Sequence, residues 1–156
     1  MNYPEAGDLY FEDMHVGRSA ERRHVITDRD IQVFADLTGD YSPLHVDEAF
    51  AQRSRFGRRL AHGLLSSSFI TGIIGMELPA RNGIYMGQTL SFRRPVFIGD
   101  ELVVRASVAS RDEDKSRIRL TTQCLVDDAI VVDGEALIFV PRRTPADGNE
   151  TSETSP

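Results

Sequence analysis

Apolar residues recur three and four positions apart in the first part of the chain, a spacing typical of helices with one buried face. Thr27 precedes Asp28 and Asp30, and a hydroxyl followed by acidic residues marks the first turn of a helix. The pattern continues to Gly39, where this helix should end. We also expect a short strand over residues 22–26 before the helix and a brief helical segment over residues 47–52 after it.

A second apolar segment covers residues 61–76 and contains no charged side chain between His62 and Glu77. A segment of this length that is apolar or small all round is typical of a buried helix. Its three glycines and three serines lower the intrinsic helix propensity, so packing against other elements must stabilise it. We therefore expect a buried helix that ends before Leu78 and Pro79.

The pattern changes after Gly83 to long segments rich in Val, Ile, Thr and aromatic residues, which predict strands over 84–92, 101–110, 117–126 and 129–140. Pro95 with Gly99 and Asp100 predicts a bulge or bend within a sheet edge, whereas residues 111–115 and 127–128 predict hairpin turns. Helices followed by an antiparallel meander indicate an α+β domain in which one sheet packs on the buried helix.

The chain has 156 residues, of which 40% are hydrophobic, and this fits one domain with its own core. We assign residues 1–140 to that domain and residues 1–17 within it to an N-terminal arm. Residues 141–156 offer no apolar side chain beyond Ala146, so they predict a disordered C-terminal tail.

The net charge of −6 gives no broad electropositive surface, so neither nucleic acid nor a membrane is an expected partner. Cys124 is the single cysteine and lies in an alternating apolar stretch, which predicts a buried thiol and no internal disulfide. The first residues lack a signal peptide, and we expect a soluble cytoplasmic protein. The four histidines are scattered and no Cys-x-x-Cys occurs, so no metal site is predicted.

Candidate chemistry lies in residues 39–47, which read Gly-Asp-Tyr-Ser-Pro-Leu-His-Val-Asp. Asp40 and His45 could together hold and polarise one water molecule on a loop that Pro43 stiffens. The alternative is a turn aspartate and an ordinary histidine, because such short matches often occur by chance. Gly63 begins the apolar helix, where its backbone N–H could stabilise a carbonyl oxygen that develops negative charge. The alternative is that this glycine has only a structural role at the start of the helix.

Residues 39–51, 61–65 and 85–100 together resemble the MaoC-like (R)-specific enoyl-CoA hydratases, and the likeness runs from about residue 11 to residue 140. The resemblance implies a hot-dog fold, in which a curved antiparallel sheet wraps a long central helix and two chains pair edge to edge as a homodimer. It also implies reversible addition of water to trans-2-enoyl-CoA, giving (R)-3-hydroxyacyl-CoA without metal or redox cofactor. By motif position the catalytic residues are Asp40 and His45, and the oxyanion-binding N–H belongs to Gly63.

Two positions depart from the family pattern. Ser42 stands where the family usually has Asn, and a serine can still make the turn's hydrogen bond. Thr71 stands where related hydratases have a supporting serine, with Ser68 one turn earlier as a competing candidate. His62 is expected to orient the chain before Gly63 or to pack beside it.

Arginines are dense in two places of this acidic chain, and the default interpretation of both is a solvated surface. We hypothesise that some of them bind phosphates of coenzyme A or of a carrier-protein pantetheine arm, the candidates being Arg58, Arg59, Arg93 and Arg94, with Arg53 and Arg55 in the same groups. The alternatives to a hydratase are a hot-dog acyl-CoA thioesterase and a non-catalytic acyl-thioester-binding module. The presence of both Asp40 and His45 favours hydration, while acyl chain length and the identity of the carrier stay open.

Overall fold

One antiparallel sheet of five strands dominates the computed structural model, which describes residues 8–143. The strands are β1 (Ser19–Val25), β2 (Ile84–Phe92), β3 (Glu101–Asp112), β4 (Arg117–Val126) and β5 (Ala129–Phe139). Their order across the sheet is β1-β3-β4-β5-β2, and every neighbouring pair is antiparallel. The four predicted strands after Gly83 are present, whereas the first strand begins at Ser19, earlier than predicted, and leaves Ile26 beyond its end.

The connection from β2 to β3 is a crossover, so the predicted bend within a sheet edge is wrong. β2 lies at one edge beside β5, and β3 lies beside β1 near the other edge. The connecting residues hydrogen-bond with the segment before the central helix, where the Ala61 N–H donates to the Val96 carbonyl at 2.8 Å. Pro95 has no N–H for a strand ladder, which agrees with its place in this connection. Only β3, β4 and β5 form a meander, and their two hairpin turns lie where the sequence predicts them.

The predicted central helix is present as two consecutive helices, α4 (Gly63–Ser68) and α5 (Ile70–Met76), separated at Phe69. Phe69 keeps right-handed helical angles, with φ −64° and ψ −20°, so only the regular hydrogen bonding is interrupted. One face packs on the sheet and is buried, but a stripe of residues at helical spacing is exposed, comprising Leu64, Ser68, Thr71 and Gly75. The helix is therefore not buried all round. No helix within residues 8–143 is long and apolar enough to cross a membrane.

Three short helices precede the central pair: α1 (Asp28–Thr38), α2 (Pro43–Val46) and α3 (Glu48–Arg53). Thr27 caps α1 as predicted, since its side chain accepts from the Asp30 N–H while the Asp30 carboxylate accepts from the Thr27 N–H. Gly39 ends α1 in the left-handed conformation with φ 77°, where a side chain would be strained.

Both ends of the described chain pack on each other beside the sheet. Phe11 and Met14 are fully buried, and the Phe11 N–H donates to the Pro141 carbonyl at 2.9 Å. The Arg143 guanidinium contacts the Asp13 carboxylate at 2.7 Å. Residues 141–143 of the predicted tail thus make specific contacts, while residues 144–156 and residues 1–7 of the predicted arm lie outside the described residues.

Gly134→Ala tests the close pairing of β5 with β2. A Cβ at this position would lie 1.9 Å from the Thr89 carbonyl oxygen, so the two strands would have to separate. We expect the free energy of unfolding, measured by chemical denaturation, to fall by about 1–3 kcal/mol. Gly87→Ala in β2 is the matched control, because a Cβ there meets nothing within 4 Å. Equal stability of the two variants would contradict this account of the sheet.

Candidate active site

Asp40 lies directly after the glycine that ends α1. Its carboxylate Oδ1 accepts from the Ser42 N–H at 3.1 Å, which closes a tight turn and directs the chain into α2. Ser42 thus contributes its backbone, and its hydroxyl makes no hydrogen bond with residues 8–143. The Asp40 side chain is about half exposed, at 53%. The carboxylate is therefore positioned by the turn yet open to a ligand.

His45 lies on α2, a single helical turn where the sequence predicted an irregular loop. Pro43 occupies the first helical position, where its missing N–H costs nothing and its fixed φ favours the helix. The His45 Nδ1 lies 2.7 Å from the Leu60 carbonyl oxygen. Because a carbonyl can only accept, Nδ1 carries the proton, and the Nε2 of the neutral ring has the lone pair.

His62 precedes the central helix and is 2% exposed. Its Nε2 donates to the Asp40 carbonyl oxygen at 2.9 Å, and its ring stacks on the His45 ring with centroids 3.9 Å apart. The His62 Nδ1 is buried and has no hydrogen-bond partner within the described chain. This contact with the turn at Asp40 goes beyond the role predicted for His62, because the ring touches both Asp40 and His45.

Gly63 is the first residue of α4, and its N–H donates to no acceptor among residues 8–143. A Cβ at this position would lie 3.0 Å from the Phe92 ring. Only glycine therefore lets the ring of Phe92 and the main chain at Gly63 approach this closely.

Two cavities meet at His45, Gly63 and Phe92. The first, of about 360 Å³, is also lined by Ser66 and by three arginines, Arg55, Arg93 and Arg94. The second, of about 330 Å³, is also lined by Phe34, Thr38, Asp40, His62 and Leu64. The predicted residues His45 and Gly63 thus line both cavities, and the predicted Asp40 lines the second.

Several predicted residues lie away from this space. Ser68 and Thr71 are on the exposed stripe of the central helix and line neither cavity. The Arg58 guanidinium lies over the Phe97 ring at 4.0 Å, and Arg59 forms ion pairs with Asp28 and Glu48. Sequence reasoning did not select Ser66 or Phe92. Ser66 could have been found from its spacing, because it lies three residues after Gly63 on the same helical face.

Asp40, His45 and His62 each offer a nitrogen or oxygen atom within 4.8 Å of the other two. Among the described residues, these are the side chains that could bind a metal ion. The same spacing suits one water molecule, which needs two to four polar partners. One ring nitrogen of each histidine is already committed to a backbone carbonyl.

The pKa of His45 is lowered from its ordinary value of 6.5, chiefly because burial disfavours the charged ring. The hydrogen bond to Leu60 opposes this shift, His62 adds to it, and the Asp40 carboxylate opposes it again. His45 is therefore neutral at pH 7, with a lone pair on Nε2 that can accept a proton.

The sheet packed on a central helix, with Asp40, His45 and Gly63 around one cavity, is typical of an enzyme of the hot-dog fold. Residues 13–129 match the MaoC-like domain. The chain belongs to the MaoC-like dehydratase family, as the resemblance in the sequence predicted.

Relatives of known name agree with this assignment. The chain is 44% identical over 144 residues to a 3-hydroxybutyryl-CoA dehydratase of Methylorubrum extorquens, a match that covers 92% of each protein. It is 38% identical to an (R)-specific enoyl-CoA hydratase of Aeromonas caviae, over 83% of this chain and 98% of that protein.

Solved structures confirm the fold. An unliganded R-hydratase from Pseudomonas aeruginosa matches with a TM-score of 0.82 at 40% identity, over 87% of this chain and 88% of that one. The (R)-hydratase from Aeromonas caviae matches with a TM-score of 0.81 at 38% identity, over 83% of this chain and 99% of that one.

An NMR titration tests the environment of His45. We expect its ring to titrate below pH 6.5, with the resonance assigned by comparison with His45→Gln. Since the pKa of His45 is lower in the folded protein, the unfolded chain binds this proton more readily. His45 therefore lowers the free energy of unfolding as the pH falls below 6.5. A midpoint at or above 6.5 would contradict the half-buried, carbonyl-bound ring described above.

Proposed function

We propose that this chain is an (R)-specific enoyl-CoA hydratase, which adds water reversibly to trans-2-enoyl-CoA thioesters and forms (R)-3-hydroxyacyl-CoA. The placement of Asp40, His45 and Gly63 around the second cavity, with His45 and Gly63 also lining the first, carries the proposal. Relatives named (R)-specific enoyl-CoA hydratase, at 40% and 38% identity, support it. The reaction requires no cofactor, and we place the enzyme in the cytoplasm, in keeping with a single buried cysteine.

Asp40 and His45 supply the proton transfers in this proposal. The His45 Nε2 and the Asp40 carboxylate hold one water molecule between them, and a proton leaves the water as its oxygen attacks C3 of the substrate. A proton is then delivered to C2 on the same face, which gives syn addition. Because the two groups lie close enough for their titrations to be coupled, each proton step is assigned to the pair.

Gly63 stabilises the negative charge that forms at the other end of the substrate. Attack at C3 moves electron density onto the thioester carbonyl oxygen, and a backbone N–H without an acceptor can donate to that oxygen. Phe92 lies against Gly63 and lines the same cavities, so its ring forms part of the wall beside this N–H.

Arginines at the first cavity favour a phosphorylated carrier. Arg93, Arg94 and Arg55 line it, although Arg93 also pairs with Asp133 at 3.6 Å and Arg55 lies over the Phe56 ring at 4.7 Å. Arg58 and Arg59 line neither cavity. We therefore propose that Arg93, Arg94 and Arg55 bind phosphate groups of coenzyme A or of a pantetheine arm. This narrows the hypothesis drawn from the sequence to the arginines that line the site.

A homodimer forms the last part of the proposal. β2 is at the edge of the sheet and exposes large apolar side chains, namely Ile84 at 60%, Met86 at 45% and Phe92 at 52%. The exposed stripe of the central helix adds Leu64 at 58%. Edge pairing of two β2 strands would cover the unpaired backbone of this edge, and close association of the helices would cover the stripe.

Asp40→Asn and His45→Gln test the proposed acid–base pair. Each should reduce the rate of crotonyl-CoA hydration by at least about a hundredfold, the scale expected for loss of a general acid–base group. The assay follows the ultraviolet absorbance of the conjugated alkene, and chiral analysis of the product checks the (R) configuration.

The matched controls are Asp114→Asn and His15→Gln, which are exposed and outside both cavities. Near-full activity of Asp40→Asn or His45→Gln would contradict the proposed mechanism. If the wild-type protein releases free thiol without loss of the alkene, it is a thioesterase. If it does neither, it is a binding module.

Arg93→Gln/Arg94→Gln tests recognition of the carrier. We expect the KM for crotonyl-CoA to rise about fivefold to tenfold with little change in kcat, because a charge-assisted contact at an exposed cavity mouth is lost. Crotonyl-pantetheine, which lacks the phosphates, should show no such change. Arg58→Gln/Arg59→Gln is the comparison variant and should keep the wild-type KM. A larger increase of KM in Arg58→Gln/Arg59→Gln than in Arg93→Gln/Arg94→Gln would contradict the assignment.

Thr71→Arg tests the homodimer. Sedimentation equilibrium of the wild-type protein should give twice the chain mass of 17.4 kDa. Thr71→Arg places like charges at the proposed helix contact and should give the single-chain mass at micromolar concentration. Val33→Arg, on the exposed side of α1, is the control and should stay dimeric. A monomeric wild-type protein, or a dimeric Thr71→Arg variant, would refute the proposed interface.

A further inference from the structure

Asp40 is anchored by three hydrogen bonds that leave one carboxylate oxygen for a ligand. Its N–H donates to the Thr38 Oγ1 at 3.3 Å, and its carboxylate Oδ1 accepts from the Ser42 N–H at 3.1 Å. Its carbonyl oxygen accepts from the His62 Nε2 at 2.9 Å. Within residues 8–143, the Asp40 Oδ2 accepts no hydrogen bond, and it lies 4.0 Å from the His62 Nε2.

Of these three bonds, the one from His62 is the bond that ties Asp40 to a distant part of the chain. Thr38 and Ser42 are each two residues from Asp40, whereas His62 is 22 residues away. His62 directly precedes Gly63, the first residue of α4. This hydrogen bond therefore links the proposed proton-transfer group to the N–H proposed to stabilise the thioester carbonyl oxygen. The separation of these two groups must suit the fixed spacing of C2, C3 and that oxygen in the substrate.

The surroundings of the His62 ring fix which nitrogen carries its proton. The residue is 2% exposed, and its ring packs on His45 and on Phe34, with centroids 3.9 Å and 5.0 Å away. Its Nδ1 is buried without a hydrogen-bond partner among the described residues. If the proton moved to Nδ1, the Asp40 carbonyl would lose its donor and a buried N–H would have no acceptor, which costs free energy. His62 therefore keeps its proton on Nε2.

We propose, on the basis of the proposed function, that His62 is a positioning residue that acts through Asp40. Its hydrogen bond to the Asp40 carbonyl sets the distance between the Asp40 carboxylate and the Gly63 N–H. A displacement of about 1 Å in such a site can reduce turnover about a hundredfold. Binding of the carrier at the first cavity does not involve this bond. Loss of the His62 donor should therefore lower kcat and leave KM unchanged.

Two variants of the full-length protein test this role in crotonyl-CoA hydration. His62→Phe keeps an aromatic ring against His45 and removes the donor, so we expect kcat to fall about tenfold to a hundredfold with KM within about twofold. His62→Gln keeps an N–H at a similar reach, so it should restore kcat to within about threefold of the wild type. Wild-type kcat in His62→Phe, or an equal loss of kcat in both variants, would overturn the proposal.

A double-mutant cycle separates positioning from a general loss of structure. If His62 acts through Asp40, Asp40→Asn/His62→Phe should be no more than about threefold slower than Asp40→Asn, because residues that act as a unit are not additive. Additive losses would contradict the proposal.

His24→Phe is the matched control. The His24 ring stacks on Phe69 and its Nε2 lies 2.9 Å from the Asp30 carboxylate, but it lines neither cavity of the candidate active site. This variant should keep the wild-type kcat, and a loss equal to that of His62→Phe would count against a specific role for His62.

The tautomers of the two stacked histidines can be measured in the wild-type protein, even if a variant fails to fold. Long-range proton–nitrogen NMR spectra at neutral pH should show the His62 proton on Nε2 and the His45 proton on Nδ1. A His62 proton on Nδ1 would overturn the proposal. An inactive wild-type protein would refute the proposed function, whereas an active wild type with an equally active His62→Phe variant would refute only the positioning role.

Discussion

His45 and His62 hold together the two chain segments that form the candidate active site. Each ring donates to a backbone carbonyl of the other segment, His45 to Leu60 at 2.7 Å and His62 to Asp40 at 2.9 Å. The rings also stack on each other. These contacts fix the turn that carries Asp40 against the residues that lead into the central helix. Because a carbonyl can only accept, the same bonds fix the protonated nitrogen of each ring.

The crossover between β2 and β3 completes the site from the other side. It places Val96 and Phe97 against Leu60 and Ala61, so the end of β2 lies beside the start of the central helix. Phe92 thereby reaches Gly63 and lines both cavities. A simple hairpin from β2 to β3 would leave no such wall, and β2 would not become the exposed edge of the sheet.

Local signals in the sequence predicted the local structure well. The cap at Thr27, the glycine after α1 and the apolar segment from Gly63 depend on neighbouring residues, and the structure agrees with them. The strand order depends on contacts between residues that are distant in the sequence, and local signals do not report these contacts. The connection between β2 and β3 was therefore predicted as a bend and not as a crossover. The charge-free segment predicted burial on every side, yet Leu64 and Thr71 are exposed, because nothing in the segment itself indicates which of its faces the sheet covers. Ser68 and Thr71 were selected for their hydroxyls and not from the direction of the helix face.

The stacked histidines limit the charge that the site can hold. Their ring centroids are 3.9 Å apart. Two unit charges at about 4 Å repel by about 4 kcal/mol at an effective dielectric constant of about 20. The two rings therefore resist being charged together, and His62 lowers the pKa of His45 while Asp40 acts to raise it. In the proposed reaction, the Asp40 carboxylate therefore opposes the cost that burial and His62 impose on a proton taken up by His45.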